Sequence, residues 1–414
     1  MRFLFNTVYY KPAKGGGGPL LSVSFLAEEL VRRGHQVTVA ASDLDIPGRI
    51  DVDFNKTNKV NGVDVRYFRA RPTLLQRTGI PAFACSAVFQ FGPEFSSWLS
   101  EFGPTCDVIH SHITYTYSNA LCANFARKHG KVYLYHQRGN LDPLRLKRGR
   151  LKKAIFIWLR ERPIMKSADA LIALTEKEVE TYRALKLRNR IEIIPNGFDP
   201  PSTTKGTPST TVADIIRVTA GRPVFLFISR IHPTKGPDLL VEAFIKAAKI
   251  TTNIHCVLAG PDEAMMVPIL TERVREVGLS SQFHYAGIAD TNDKHALFKA
   301  ATVFVLPTEA EGFSMVLLEA LASGCPVITT PGAYFNDIEG CGAGKIVPLN
   351  IDKIAAQMTE FIKTDHSAMQ AMGERGQRLV RDRFSWAKIT QTYEHLCGEL
   401  CAAKRSKMKD SATL

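Results

Sequence analysis

Glu311 and Glu319 stand eight residues apart in the segment Thr308-Glu309-Ala310-Glu311-Gly312-Phe313-Ser314-Met315-Val316-Leu317-Leu318-Glu319-Ala320. The run 302–307 reads as a buried parallel strand, 311–314 as a tight loop, and 315–323 as a helix stopped by Gly324. The first N–H groups of a helix lack internal partners and lie at the positive end of its dipole, so they suit a diphosphate or sugar hydroxyls. Glu311 then sits in the loop beside the ligand, and Glu319 two turns along the helix. On a single helix the two carboxylates would be about 12 Å apart. The acid and nucleophile of a glycosidase sit roughly 5–9.5 Å apart, so two separate ligand contacts are expected.

Cations upstream point the same way. Phe225-Leu226-Phe227-Ile228-Ser229-Arg230 reads as a buried strand that releases Arg230 at its carboxyl end, and Lys235-Gly236 precedes the next helix. Arginine grips phosphate oxygens with a fixed fork, and lysine supplies a mobile point charge. Ligands bind at carboxyl strand ends in open α/β sheets, so this pair and Ser229 could neutralise a leaving diphosphate. Gly260-Pro261 and Gly287-Ile288-Ala289 follow further strands, and on the residues alone ordinary turn chemistry explains them. Near the N-terminus, Gly15, Gly16, Gly17 and Gly18 lie between a strand and a helix bearing Leu20, Val23, Ala27, Leu30 and Val31. Glycine lets the backbone approach a ligand, Pro19 suits the first helical position, and Gly34 suits the stop. The cluster lacks the G-x-G-x-x-G order, and a flexible turn is its plain alternative.

Three histidines matter in the first half. His110 and His112 alternate onto one strand face, a geometry able to bind metal, but no cysteine or acid stands at ligand spacing. A hydrogen-bonded structural pair is the default, and neither metal nor other cofactor is expected. His136 ends the strand Val132-Tyr133-Leu134-Tyr135 and precedes Gln137-Arg138-Gly139.

With Arg-x4-Lys-Gly, Ala259-Gly260-Pro261-Asp262-Glu263 and the glycine loop in this order, the E-x7-E element resembles that of glycosyltransferase family 4, the retaining GT-B transferases. The resemblance covers nearly the whole chain. It implies an α/β GT-B fold of two Rossmann-like doubly wound domains facing across a cleft. The implied activity moves a hexose, with retention and without metal, from a UDP- or GDP-sugar to a glycan or lipid-linked acceptor in polysaccharide or glycolipid biosynthesis. Arg230 and Lys235 would meet the donor phosphates and Glu319 the ribose, while Glu311 and the backbone of Gly312, Phe313, Ser314, Met315 and Val316 would hold sugar and phosphate. Ser229, Gly260, Pro261, Ile288 and Ala289 would complete the donor site, the last two beside the nucleobase. Gly15 to Gly18 would approach the donor diphosphate or the acceptor, His136 the donor sugar, and His112 and Arg138 the acceptor. Ser314 stands where the family often has glycine, and many polysaccharide-building relatives have a small residue before Pro-Arg-Gly where this chain has His136.

Composition fits a large enzyme. At 414 residues the chain is long enough for two or three domains of about 150 residues. The expected division is 1–199 for acceptor binding, 200–222 as linker, 223–383 for the nucleotide-sugar, 384–403 as a helix crossing back, and 404–414 as a basic tail without regular structure. No apolar run approaches the roughly 20 residues of a membrane span, and no secretory signal is evident. The eight cysteines lack C-x-x-C spacing and read as reduced core thiols of a cytoplasmic protein, for which the stretch 145–166 suggests a peripheral place on the cytoplasmic membrane face. Net charge of +13 favours an anionic partner. From 145 to 166 nine basic residues face the single acid Glu161, with Phe156, Trp158 and Leu159 among them, as in a helix docked on an anionic membrane. A GT-B UDP-N-acetylhexosamine epimerase is the nearer rival reading, although its catalytic acids cannot be placed. A nucleic-acid-binding protein is the remoter one, and no recognisable module supports it.

Overall fold

Short apolar strands alternate with amphipathic helices along the chain and assemble into two parallel sheets. The computed structural model describes residues 1–45, 48–54, 56–71, 90–91, 93–142, 150–200 and 206–412. The chain divides into two compact units: Met1–Gly197 with Trp386–Leu414, and Phe198–Ser385.

The first unit holds strands β1 (Arg2–Asn6), β2 (Gln36–Ser42), β3 (Asn58–Val60), β4 (Val63–Phe68), β5 (Val108–His112), β6 (Val132–His136), β7 (Ala170–Ala173) and β8 (Arg190–Ile193). They lie in the order β8-β7-β6-β5-β1-β2-β4-β3. All pairings are parallel except β3 with β4. β1, β5, β6 and β7 are buried almost throughout, which is why they read as continuous apolar runs and not as alternations. One face packs on helix α1 (Gly17–Arg32) through Val23, Ala27 and Leu30. The first unit's last helix shares that core, with Trp386, Ile389, Tyr393 and Leu396 following helical spacing.

The second unit's sheet runs β11 (Phe283–Tyr285), β10 (His255–Ala259), β9 (Val224–Ile228), β12 (Val303–Leu306), β13 (Val327–Thr329) and β14 (Gly344–Ile346), all parallel. Helix α2 (Met315–Ala322) buries Leu317, Leu318 and Leu321 in its core. In each sheet the chain winds outward from a central strand, then restarts on that strand's other side. The switch points are β1/β5 and β9/β12, where ligands bind at carboxyl ends.

Several sequence expectations change. Helix α1 starts at Gly17, so Pro19 is its third residue and not its first. The segment taken as linker contains a helix, Thr210–Thr219, capped by Ser209 and belonging to the second unit; 201–205 lie outside the described residues. Helix α3 (Trp386–Ala412) runs through the basic residues at 404–409, so the expected unstructured tail is helical as far as Ala412. Seven cysteines are free thiols, and Cys85 lies outside the described residues. No helix among the described residues is long and apolar enough to cross a membrane.

Candidate active site

In the second unit, neighbouring strands β9 and β12 pair Phe225 with Val303 and Leu226 with Phe304. Beyond β9, a 3₁₀ turn at Pro233–Lys235 ends in left-handed Gly236, with φ 68°. A Cβ there would strike the Pro307 carbonyl oxygen, so the two strand-end loops can approach this closely only because residue 236 is glycine. The Glu309 N–H and the Thr308 hydroxyl both donate to the Thr234 carbonyl, each at 3.0 Å. This stitching brings Lys235 Nζ to 2.6 Å from Glu311 Oε1, with the side chains 9% and 12% exposed. The Glu311 N–H in turn donates to Gly332 O. The two ends of Arg-x4-Lys-Gly thus differ in setting. Lys235 is buried and paired, whereas Arg230 Nη1 meets Glu263 Oε2 at 2.9 Å in the open.

Glu319, on α2, accepts a bond of 2.9 Å from Lys294 Nζ. Lys294 was missed because nothing in the spacing of residues 294 and 319 pairs two separate helices. Phe313 turns its ring inward toward Phe335 and Phe384, leaving its backbone at the helix start. The Ser314 side chain makes no capping bond, so it does not satisfy the first N–H groups of α2. The Gly260 N–H donates to Gly287 O and the Ile231 N–H to Pro261 O, which ties the loops bearing Ser229, Gly260, Pro261, Ile288 and Ala289 together. Gly260 has φ 132°, and a Cβ on it would overlap Ser229 O. Ile288 is 75% exposed, a large apolar side chain left in solvent beside these loops.

In the first unit, β-sheet register supplies what spacing could not. Residue pairs in parallel strands share a face, and His112 lies opposite His136, while His110 lies opposite Phe5 and Leu134. His136 therefore joins His110 and His112, and each contributes a ring nitrogen within 4.8 Å of the others. The expected hydrogen-bonded pair of His110 and His112 is thus joined by His136 into a buried trio. Burial, and then the Arg138 cation, push the His110 and His136 pKa values well below the usual range; His112 is lowered chiefly by burial, with His110 and Arg138 adding. All three rings are neutral. Arg138 Nε–H donates to His112 Nδ1 at 3.3 Å, so the His112 proton sits on Nε2. A protonated ligand nitrogen and an adjacent guanidinium both disfavour a metal cation here.

Arg138 has φ 51° and Gly139 φ 74°. The turn is held by Glu178, which accepts N–H bonds from Gly139 at 2.5 Å and Leu174 at 2.7 Å. Burial raises the Glu178 carboxyl to about 7. From that turn Arg138 Nη1 reaches Ser22 Oγ at 2.6 Å and Asn196 Oδ1 at 3.2 Å. Tyr393 of α3 bonds His110 Nδ1 at 3.0 Å. Ser22, His110, His136, Arg138, Asn196 and Tyr393 line a small pocket with about 10 Å³ of free space, room for about one water. Ser22, Glu178, Asn196 and Tyr393 carried no motif that sequence reading could detect. In the glycine loop, Asp45 Oδ1 accepts the N–H of Lys14 and Gly15, and Gly16 is hemmed in by Tyr9 and Leu20. Gly17 and Gly18 have open space where a Cβ would be.

Two family profiles cover most of the chain: "Glycosyl transferase 4-like domain" over residues 17–197 and "Glycosyl transferases group 1" over residues 212–379. The chain belongs to the family 4 glycosyltransferases. The transferase is 26% identical over 412 residues to a D-inositol 3-phosphate glycosyltransferase of Saccharomonospora viridis, covering 95% of this chain and 91% of that one. It is 29% identical over 240 residues to the mannosylfructose-phosphate synthase of Agrobacterium fabrum. That match takes in 55% of the transferase and about half, 52%, of the relative's own length. Its fold is GT-B, similar to sucrose-phosphate synthase from Thermosynechococcus elongatus, with TM-score 0.73, 19% identity and coverage of 97% and 99% of the two chains. Anabaena HepE, solved in complex with UDP-glucose, gives TM-score 0.68 at 18% identity over 96% of this chain and all of that one.

Proposed function

We propose that this glycosyltransferase moves a hexose, with retention, from a UDP- or GDP-sugar to a glycan or lipid-linked acceptor. The observation that carries the donor half is the Lys235–Glu311 pair at the β9/β12 switch point. A diphosphate entering there takes Lys235 as counter-charge, with Arg230 beside it and the N–H groups at the start of α2 completing a preorganised field for the leaving group. Glu311, released from part of its bond to Lys235, turns to the sugar. Glu319 holds the ribose and shares Lys294 with it. Ile288 and Ala289 flank the base, for which the exposed isoleucine offers an apolar face. UDP-glucose in the HepE structure supports a nucleotide-sugar as the donor class. In the first unit, His136 serves the sugar, His112 and Arg138 serve the acceptor, and Gly17 and Gly18 leave room for close ligand approach.

This arrangement gives the diphosphate charge to Lys235 and Arg230, so activity should persist in EDTA. A thermal-shift screen of the full chain with UDP, GDP, ADP and their sugars tests the donor class, since a ligand at a hundred times its Kd stabilises by about 2.7 kcal/mol. Absence of any nucleotide shift refutes the reading. The anomeric configuration of the product by NMR tests retention, and sugar release without acceptor would instead favour an epimerase.

A membrane-bound acceptor is favoured by one surface. Helix Arg150–Phe156 and the turn that continues it to Glu161 leave Leu151, Ile155, Trp158 and Leu159 exposed. Arg162 lies over the Trp158 ring at 4.4 Å. The one acid, Glu161, is buried and accepts from the Tyr115 N–H and the Tyr135 hydroxyl, so it does not offset the surface charge. Residues 145–149, including Arg145, Lys147 and Arg148, lie outside the described residues. Such a stripe with basic flanks suits an anionic lipid surface.

A further inference from the structure

Glu178 is buried and stands third in the helix Glu176–Ala184, three residues after its N-cap Thr175. A threonine cap with glutamate at that spacing marks only a helix start, and ordinarily it closes on itself, each side chain taking the other's backbone N–H. Here it does not. The Thr175 side chain makes no capping bond, and its buried Oγ1 has no partner. The Glu178 carboxylate instead reaches past Thr175 and across to the next strand, with Oε2 on the Leu174 N–H after β7 and Oε1 on the Gly139 N–H after β6. One helical turn on, the hydroxyl of buried Tyr182 accepts the Gln137 N–H at 3.1 Å and donates to Ile172 O at 3.0 Å. Ile172 lies opposite His136 in the sheet.

Two side chains of one helix thus fix the N–H groups on either side of left-handed Arg138. Backbone of that kind persists only when its surroundings impose it. Glu178 Oε2 also stands 3.9 Å from His136 Nε2, a buried nitrogen with no hydrogen-bond partner. Among the described residues no other carboxylate comes within ion-pair distance of His136. The ring is neutral, and a carboxylate facing Nε2 draws the ring proton to that nitrogen, leaving Nδ1 as the acceptor.

We infer that Glu178 and Tyr182 are positioning residues for sugar transfer, aiming His136 by fixing the turn that follows it and the charge beside its ring. The inference rests on the reading of His136 as the residue that serves the donor sugar. Neither side chain touches substrate, and both act through the histidine.

The test is a mutant cycle on release of UDP from UDP-glucose or GDP from GDP-mannose, whichever sugar nucleotide stabilises the full chain, with water as the acceptor. Glu178→Gln keeps the shape but removes the charge, and its amide sets a donor against one of the two backbone N–H groups. It should lower kcat about 10–100-fold, the scale for misplacing a positioned group. The thermal shift given by UDP or GDP, whose expected site is in the second unit, should stay as in the wild type. His136→Ala should be slow by itself, and adding Glu178→Gln to it should cost no more than about a further twofold, because residues acting as one unit are not additive. A carboxylate that only supports the fold would lower Tm and leave kcat per folded molecule unchanged, or cost the same factor in both backgrounds; either result overturns the inference. Should Glu178→Gln fail to fold, Tyr182→Phe, which removes only a hydroxyl, goes through the same cycle with the same expected and refuting results. Slow His136→Ala beside full-speed Glu178→Gln defeats this inference and leaves the His136 reading standing. Full-speed His136→Ala defeats that reading, and the inference with it.

Discussion

Replacing Lys235 by methionine separates two roles that one ion pair can play. Lys235 and Glu311 meet at 2.6 Å with side chains 9% and 12% exposed, so removing the lysine strands a nearly buried carboxylate. Breaking such a pair costs about 3–5 kcal/mol. For a unit of this size each kcal/mol moves Tm by about 2–4 °C, so Lys235→Met should melt roughly 6–20 °C lower. Lys235→Met combined with Glu311→Gln removes both charges and should recover most of that loss, because a neutral pair of similar volume is often as stable as the ion pair. Turnover should behave differently. If Lys235 neutralises the leaving diphosphate, its loss costs about 10²–10³-fold in kcat, the scale for removing one preorganised group, and the double variant stays that slow. Release of UDP or GDP from the donor that binds, followed beside calorimetric Tm, reads both quantities. Wild-type turnover in the stabilised double variant would reduce Lys235 to a structural role and refute the donor argument.

Glu319→Ala should raise the KM for donor about tenfold with little change in kcat, since its contact is remote from the bond being broken; a collapsed kcat at unchanged KM would contradict the ribose role. Glu161 is buried and its carboxyl is raised to about 7. Because the folded pKa exceeds the unfolded one, the folded state holds the extra proton between about pH 4.5 and 7, and stability falls as pH rises through that window. Glu161→Gln should therefore flatten the decline, by up to about 3 kcal/mol, and an unchanged pH–stability curve would show that the group titrates normally. Binding to anionic vesicles should weaken with salt, and also when Arg148, Lys152 and Lys153 are neutralised together or Leu151 and Leu159 become serine. Equal recovery on neutral vesicles at low salt would favour a soluble acceptor.

The sheets were legible because parallel strands buried on both faces give unbroken apolar runs: β9, β10 and β12 read from the sequence nearly as the structure has them. The Glu311 loop and the α2 start were legible because turn and helix signals are local. What escaped depends on long-range pairing. The His136 approach to His110 and His112 is fixed by the register of β5 on β6, and Lys294 meets Glu319 only through packing of two helices. A closing helix crossing back was expected, but that it sets Tyr393 against His110 depends on packing that no local pattern specifies. The α1 start slipped because glycines carry little signal about where a helix begins, and here two of them lie inside it.

The path of the chain sets an order of assembly during synthesis. The first sheet leaves the ribosome with one face covered by α1 but lacking the rest of its cover, since Trp386, Ile389, Tyr393 and Leu396 are still untranslated. At about 5–20 residues per second the stretch 198–385 takes on the order of 10–40 s to appear, time in which the second unit can fold on its own while the first waits for its final helix. The N-terminal half is thus the late-maturing part of the enzyme, completed only when its final helix emerges. Nonsense truncations near residue 385 should release chains whose second unit is native and whose first unit aggregates.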